Sequence, residues 1–152
     1  MSLFNYANLG VLDHMANHLR RMIRERVATM LTGLSSTGSN VFLPHVCPLE
    51  NDDLPSLCIY TQDEEIEVGA SGVLRVYHST MILIVDGYAH KSSNLDDQLD
   101  QIGIEVQFAM AGDIDINNLV KDSYLSSVDI SYFGECTSPI GIIRNNYLLL
   151  YR

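Results

Sequence analysis

Positive charge is scarce in this sequence. Its 152 residues hold nine lysines and arginines against nineteen aspartates and glutamates, a formal net charge of −10, and the pI is near 4.6. A field of that sign repels phosphate backbones and anionic lipid, which argues against direct sequence-specific nucleic-acid binding and against a membrane-surface role. Cysteine is sparse as well. Cys47, Cys58 and Cys136 are odd in number and make no Cys-x-x-Cys pair, which argues against a disulfide framework or structural zinc and suits a reducing compartment. Long apolar runs are missing: the longest, Met81–Val85, is far short of the roughly 20 residues that span a bilayer. The opening residues show no basic stretch followed by an apolar one. These absences predict a soluble, intracellular protein with no membrane partner.

What is present is enough apolar material for a core, 47% hydrophobic residues against 18% charged, at a length that suits one domain over residues 1–152. Between Leu12 and Leu34 the apolar positions Leu12, Met15, Leu19, Met22, Ile23, Val27, Met30, Leu31 and Leu34 recur three or four apart, which predicts an amphipathic helix. Asn8 and Asp13 are its candidate N-caps, and the small-residue run Gly33–Asn40 stops it. Val41–Val46 reads as a short strand that Pro44 confines to an edge. Leu54–Thr61 and Val73–Tyr88 read as the limbs of a β-hairpin, with the acidic Asp63–Glu67 and the turn cluster Val68–Gly72 between them. The return limb is so long that the hairpin is expected to bend or project as an arm.

Ser92–Asn94 with Asp96 and Asp97 opens a second helix, whose stripe is Leu95, Leu99, Ile102, Val106, Ala109 and Met110 and whose end is Gly112. After the loop Asp113–Asn118, the runs Leu125–Phe133 and Ile140–Tyr151 read as a C-terminal hairpin around Gly134–Pro139. The expected fold is therefore α+β: a mainly antiparallel, mixed sheet with two helices on one face and a long projecting hairpin arm.

Catalysis or metal binding leaves clusters of particular residues, and the sequence offers none that stands out. Of His14, His18, His45, His78 and His90, only His14 and His18 stand four apart on one helix, and they lack the glutamate of an HExxH motif. A solvated helix face is the plainer reading. Gly69-Ala-Ser-Gly72 has no P-loop lysine and joins two β runs, so it reads as a hairpin turn. The cysteines read as buried, unreactive thiols. No catalytic, metal or cofactor residue is nominated, and the expectation is a protein that is not an enzyme.

Charge placement says more than charge total. Arg20, Arg21, Arg24 and Arg26 crowd one stretch of the first helix, whereas Glu50, Asp52, Asp53, Asp63, Glu64, Glu65 and Glu67 surround the first limb of the hairpin. Ordinary solvated surface is one reading of such runs. The sharper one is that the acidic arm of one subunit meets the arginine-bearing helix of the next, a head-to-tail contact that closes a ring. Arg20, Arg21, Arg24, Asp63, Glu64, Glu65 and Glu67 are the candidate interface residues.

The helix ending in Leu31-Thr-Gly-Leu-Ser-Ser-Thr-Gly38, the strand at Val41-Phe42, the Leu54–Thr61 segment running into acid, the long strand ending Met81–Tyr88, the helix from Asn94 and the terminal Ile140–Arg152 together resemble the tail terminator family of long-tailed bacteriophages, the minor tail protein U type. The resemblance covers nearly the whole chain. It implies a hexameric ring that caps the head-proximal end of the tail tube, stops its polymerisation and offers the surface that joins the head. Implied partners are further copies of the chain, the major tail tube protein and the head–tail connector. The implied setting is the virion tail, with assembly in the host cytoplasm of a phage or prophage. A head–tail joining or connector-completion protein is the alternative, and an unrelated small α+β enzyme or ligand-binding module is a third reading.

Overall fold

The computed structural model describes residues 19–43, 54–70, 76–90, 94–133 and 140–151. Helix α1 occupies 19–31 of these. Its Ile23, Val27 and Leu31, spaced one turn apart, are completely buried, as the stripe predicts. The chain leaves the helix through Gly33 at φ +94° and returns at Gly38 at φ +56°, where the Gly33 N–H donates to Gly38 O at 2.8 Å and the Gly38 N–H to Leu34 O at 2.8 Å. Both glycines sit in left-handed backbone that a side chain disfavours. The helix start at Leu12 and the caps Asn8 and Asp13 lie outside the described residues.

The sheet has five strands: β1 (Val41–Phe42), β2 (Ser56–Ala70), β3 (Val76–His90), β4 (Asp122–Phe133) and β5 (Ile140–Tyr151). Their spatial order is β1-β2-β3-β5-β4. β1 runs parallel to β2, and every other pairing is antiparallel. The sheet is thus mixed and mostly antiparallel, and with two helices the fold is α+β. β1 takes the edge position expected of it, while 44–50 lie outside the described residues. β5 lies between β3 and β4 because its alternation buries every second residue, Gly141 through Leu149, as suits a central strand with one covered face.

One boundary differs from expectation. The acidic run Asp63–Glu67 is part of strand β2, which continues to Ala70, rather than a connection between limbs. The ladder tolerates it by a register shift between Thr61 and Glu64. That bulge turns Glu64 toward α1 and leaves Asp63, Glu65 and Glu67 exposed. Beyond Ser79, where β5 stops pairing at Tyr151, the β2–β3 ladder runs on alone through Ile66↔Ser79, Val68↔Tyr77 and Ala70↔Val76. The turn itself, 71–75, lies outside the described residues.

Helix α2 (Leu95–Ala111) buries Leu99, Ile102, Val106 and Met110, which reproduces its predicted stripe. Asn94 is its N-cap by position, but its side chain makes no cap bond to the helix backbone and instead accepts from Gln98 Nε2 at 3.1 Å. α2 lies close on β3 and β5 because Gly87 leaves room: a Cβ there would stand 2.5 Å from Ile102 Cγ2 and 3.0 Å from Ile143 Cγ2. Gln107 Nε2 donates to the buried Asn145 Oδ1 at 3.2 Å, fixing the helix azimuth over β5. After α2 the chain turns through Ile116, Asn117 and Asn118, all with positive φ. Asp113 Oδ1 accepts the Asn117 N–H at 3.1 Å and Asp115 Oδ1 the Asn118 N–H at 3.2 Å. The helices share one core with Leu57, Ile59, Met81, Leu83, Val85, Ala89, Ile143, Tyr147 and Leu149, so both cover the same sheet face. Burial there pushes the Tyr147 hydroxyl up to about 12.

Candidate interaction surface

The seven residues nominated from charge separate into two groups. Arg20 donates through Nε to Glu64 Oε2 at 3.2 Å and forms an ion pair with it through Nη2, so the two poles meet within one chain. Tyr151 donates its hydroxyl to the other oxygen of Glu64. Desolvation would raise the Glu64 carboxyl, but hydrogen bonds from Tyr151 and Arg20 outweigh it and hold the group below its ordinary value. Arg24 Nη1 donates to Thr61 Oγ1 at 3.2 Å. Arg26, outside the nominated set, pairs with Asp113 at 3.1 Å. These contacts tie α1 to β2 and to the loop after α2. Arg21 stands apart: it is 70% exposed and, among the described residues, pairs with Glu25 alone, one turn along its own helix at 2.8 Å. Asp63, Glu65 and Glu67 are exposed and make no ion pair among the described residues. The acids Glu50, Asp52 and Asp53 lie outside them.

On the sheet face opposite the helices, Asp86 is fully buried. Arg144 grips it with Nε to Oδ1 and Nη2 to Oδ2, both at 2.9 Å, a two-pronged geometry suited to a carboxylate. Tyr60 donates its hydroxyl to Asp86 Oδ2 at 2.9 Å and accepts from Arg144 Nη2 at 2.9 Å. Desolvation first, then the Asp86 charge and hydrogen bond, pushes the Tyr60 hydroxyl well above its ordinary value. Both Asp86 oxygens and the Tyr60 hydroxyl are bonded within the cluster, so it staples β2, β3 and β5 together.

Cys58 corrects the sequence reading. It is disulfide-bonded, its partner lying outside the described residues, and it is buried. An odd count leaves room for one bridge and one thiol, so the count does not exclude a disulfide at Cys58.

Among the described residues no group of three or more His, Cys, Asp or Glu is placed to hold a metal. His14, His18 and His45 lie outside them. No helix among the described residues is long and apolar enough to cross a membrane. A cleft of about 440 Å³ beside the start of α2 is lined, among the described residues, by Ser36, Pro55, Asn94, Asp97, Gln98, Gln101 and Ile102; the Ser36 hydroxyl there donates to the Glu105 carboxylate of α2.

The features that charge and motif reasoning missed are apolar. β4 is the last strand of the sheet, and its helix-facing residues lie beside buried β5 partners: Leu125 by Tyr147, Val128 by Asn145, Ile130 by Ile143. Yet α2 stops short of them. Leu125 is 36% exposed, Val128 40%, Ile130 47% and Tyr132 53%. Tyr132 reaches α2 through its hydroxyl on Asp96. α2 itself exposes Ile104 and Phe108, which share a shallow groove with Gly33, Leu34 and Ser35 of the turn after α1. A second apolar surface lies on the lone stretch of the β2–β3 ladder, where Ile66, Val68 and Tyr77 are about half exposed. The alternation of Val128 and Ile130 with Ser127, Asp129 and Ser131 signalled a strand with one apolar face, but not that the face is left open.

No protein-family model matches the chain, and no curated protein matches it in sequence.

Proposed function

We propose that the chain is a non-enzymatic phage or prophage tail assembly protein, a ring-forming tail terminator. In this reading copies of the chain close into a hexameric ring on the head-proximal end of the tail tube, stop its growth and present the surface that joins the head. The observation that carries the reading is the open apolar face of β4, Leu125, Val128, Ile130 and Tyr132, on an edge strand of twelve residues. An edge of that length without lysine or proline is a template for association, and subunits of an assembly manage it by covering it. The lone β2–β3 ladder supports the same reading as an element able to reach a neighbour. Exposed Arg21 and the exposed acids Asp63, Glu65 and Glu67 would steer encounter between subunits more than hold them. Arg20, Arg24 and Glu64 keep their place in the candidate set as residues that fix α1 against β2, where the contact would form. The Cys58 disulfide fits a protein that ends in a virion outside the reducing cell.

Pull-down against the major tail tube protein and against the head–tail connector protein tests the role. The terminator reading expects capture of the tube protein; capture of the connector alone would transfer the chain to the joining class.

A further inference from the structure

We propose that the apolar side of the β2–β3 hairpin, formed by Ile66, Val68 and Tyr77, seats on the uncovered helix-facing side of β4, at Leu125, Val128 and Ile130, in a second copy of this chain. The inference rests on the ring reading above and specifies its contact.

Both surfaces belong to the same side of the sheet. Ile66 and Val68 follow Glu64, which meets Arg20 of α1, and they pair with Ser79 and Tyr77. Leu125, Val128 and Ile130 pair with residues buried beneath the helices. Within one chain the two patches cannot meet. β5 and β3 separate β4 from β2, and Tyr77 lies six positions along β3 from Leu83, the residue level with Leu125 through Tyr147, about 20 Å at ~3.3 Å per residue. A second copy supplies the missing partner without new chemistry.

Charge is sorted to permit it. Glu65 and Glu67 alternate with Ile66 and Val68 and so leave the hairpin on its other side, while Asp129 leaves β4 between Val128 and Ile130 on the side away from the helices. These three carboxylates are thereby kept out of the apolar contact, while Asp96 at its rim is held by the Tyr132 hydroxyl, and the joint is led by burial rather than by ion pairs. The shapes agree as well. A two-stranded ribbon is about 10 Å across, and twelve residues of β4 extend about 40 Å, flanked on one side by α2 and open on the other. The lone ribbon, Val76 to Ser79 on β3, is about 13 Å long, so its footprint is a fraction of the roughly 800 Å² that each partner in a stable pair buries. One such joint is weak. A closed ring makes as many joints as subunits, so head-to-tail closure favours the ring over a dimer.

The test uses two variants of the full chain, Ile66→Lys with Val68→Lys and Val128→Lys with Ile130→Lys, read by sedimentation velocity over a concentration series. All four positions are 40% or more exposed, so each variant should melt close to wild type. If either does not, the corresponding threonine pairs, which keep the β-branch, replace it. The wild type is expected to form closed oligomers and each variant alone to associate at least tenfold more weakly. Mixed together at the top of the concentration series, the variants hold one intact hairpin and one intact β4 face, and should form a weak heterodimer, held by a single joint, that goes no further. Loss in the hairpin variant alone would mean that hairpins pair with each other, and loss in the β4 variant alone that edges pair. Either result overturns the proposal, as does a mixture that stays monomeric or a wild type that never associates. Rings that persist in both variants would reject this contact and leave the terminator reading standing, whereas variant-sensitive open chains would uphold the contact and reject the ring.

Discussion

Replacing Arg144 with methionine should test the buried cluster on the sheet face opposite the helices. Asp86 has no exposure, and in the wild type its carboxylate accepts two bonds from Arg144 and one from Tyr60, each at 2.9 Å. Arg144→Met leaves a buried negative charge with the Tyr60 hydroxyl alone. Breaking a buried pair this way costs about 3–5 kcal/mol. The Arg144 side chain is itself 41% exposed, so water entering from its side softens the loss to about 2–3 kcal/mol. Against a total of about 5–15 kcal/mol that is a large fraction, and for a chain of this size it lowers Tm by about 5–10 °C. The companion is Asp86→Leu with Arg144→Met, which removes both charges and fills the space with apolar atoms. It should fall within about 1 kcal/mol of wild type, because a buried pair contributes little net stability over a packed apolar substitute. Urea unfolding of wild type, single and double variants gives the free energies, and an unchanged slope shows that the same folded state is compared. A single variant that loses less than about 1 kcal/mol, or a double variant at least as damaged as the single, would refute the argument that Arg144 is there to neutralise Asp86.

Glu64 predicts an acid-side dependence. Its carboxyl is held below its ordinary value of 4.5 in the folded protein, so it contributes stability above about that pH, and the contribution is lost as pH falls through the lowered value. Tm measured from neutral to acid pH should drop less steeply in Glu64→Gln than in wild type, and equal slopes would show that Glu64 is not linked to folding. Gly87→Ala should cost about 1–3 kcal/mol by urea unfolding, since the new methyl meets the β-branched Ile102 at 2.5 Å; a neutral result would mean that α2 slides freely on the sheet. Arg20→Glu should lower Tm, because it sets a second carboxylate against Glu64, whereas Arg21→Glu, on an exposed residue, should leave Tm unchanged and report only on association. If both variants melt like wild type, the pairing of α1 with β2 through Arg20 contributes nothing to folding.

Periodicity carried most of the fold. The stripes of Ile23, Val27 and Leu31 and of Leu99, Ile102, Val106 and Met110 are local signals that tertiary structure had no reason to override. The C-terminal hairpin was legible for the same reason. The end of β2 was not: four carboxylates in five residues look like a solvated connection, and only the bulge after Thr61, which hands Glu64 to Arg20, explains why the ladder continues. Partners distant in the chain were equally silent. Arg20 and Glu64 are 44 positions apart, and Asp86 and Arg144 are 58 apart, so a linear reading took the arginines and acids for poles facing other molecules. The open faces at Ile130 and Val68 depend on how far the helices extend over the sheet, a matter of tertiary packing that alternation does not encode. Nor does the number of cysteines say that Cys58 is bridged.

Closure of copies of this chain into a ring is open to direct observation. Electron microscopy of the purified chain at high concentration tests it directly. Annular particles with a central hole and six-fold symmetry are expected in averaged end-on views; a field of single subunits, or of two-fold dimers without a hole, would contradict ring closure.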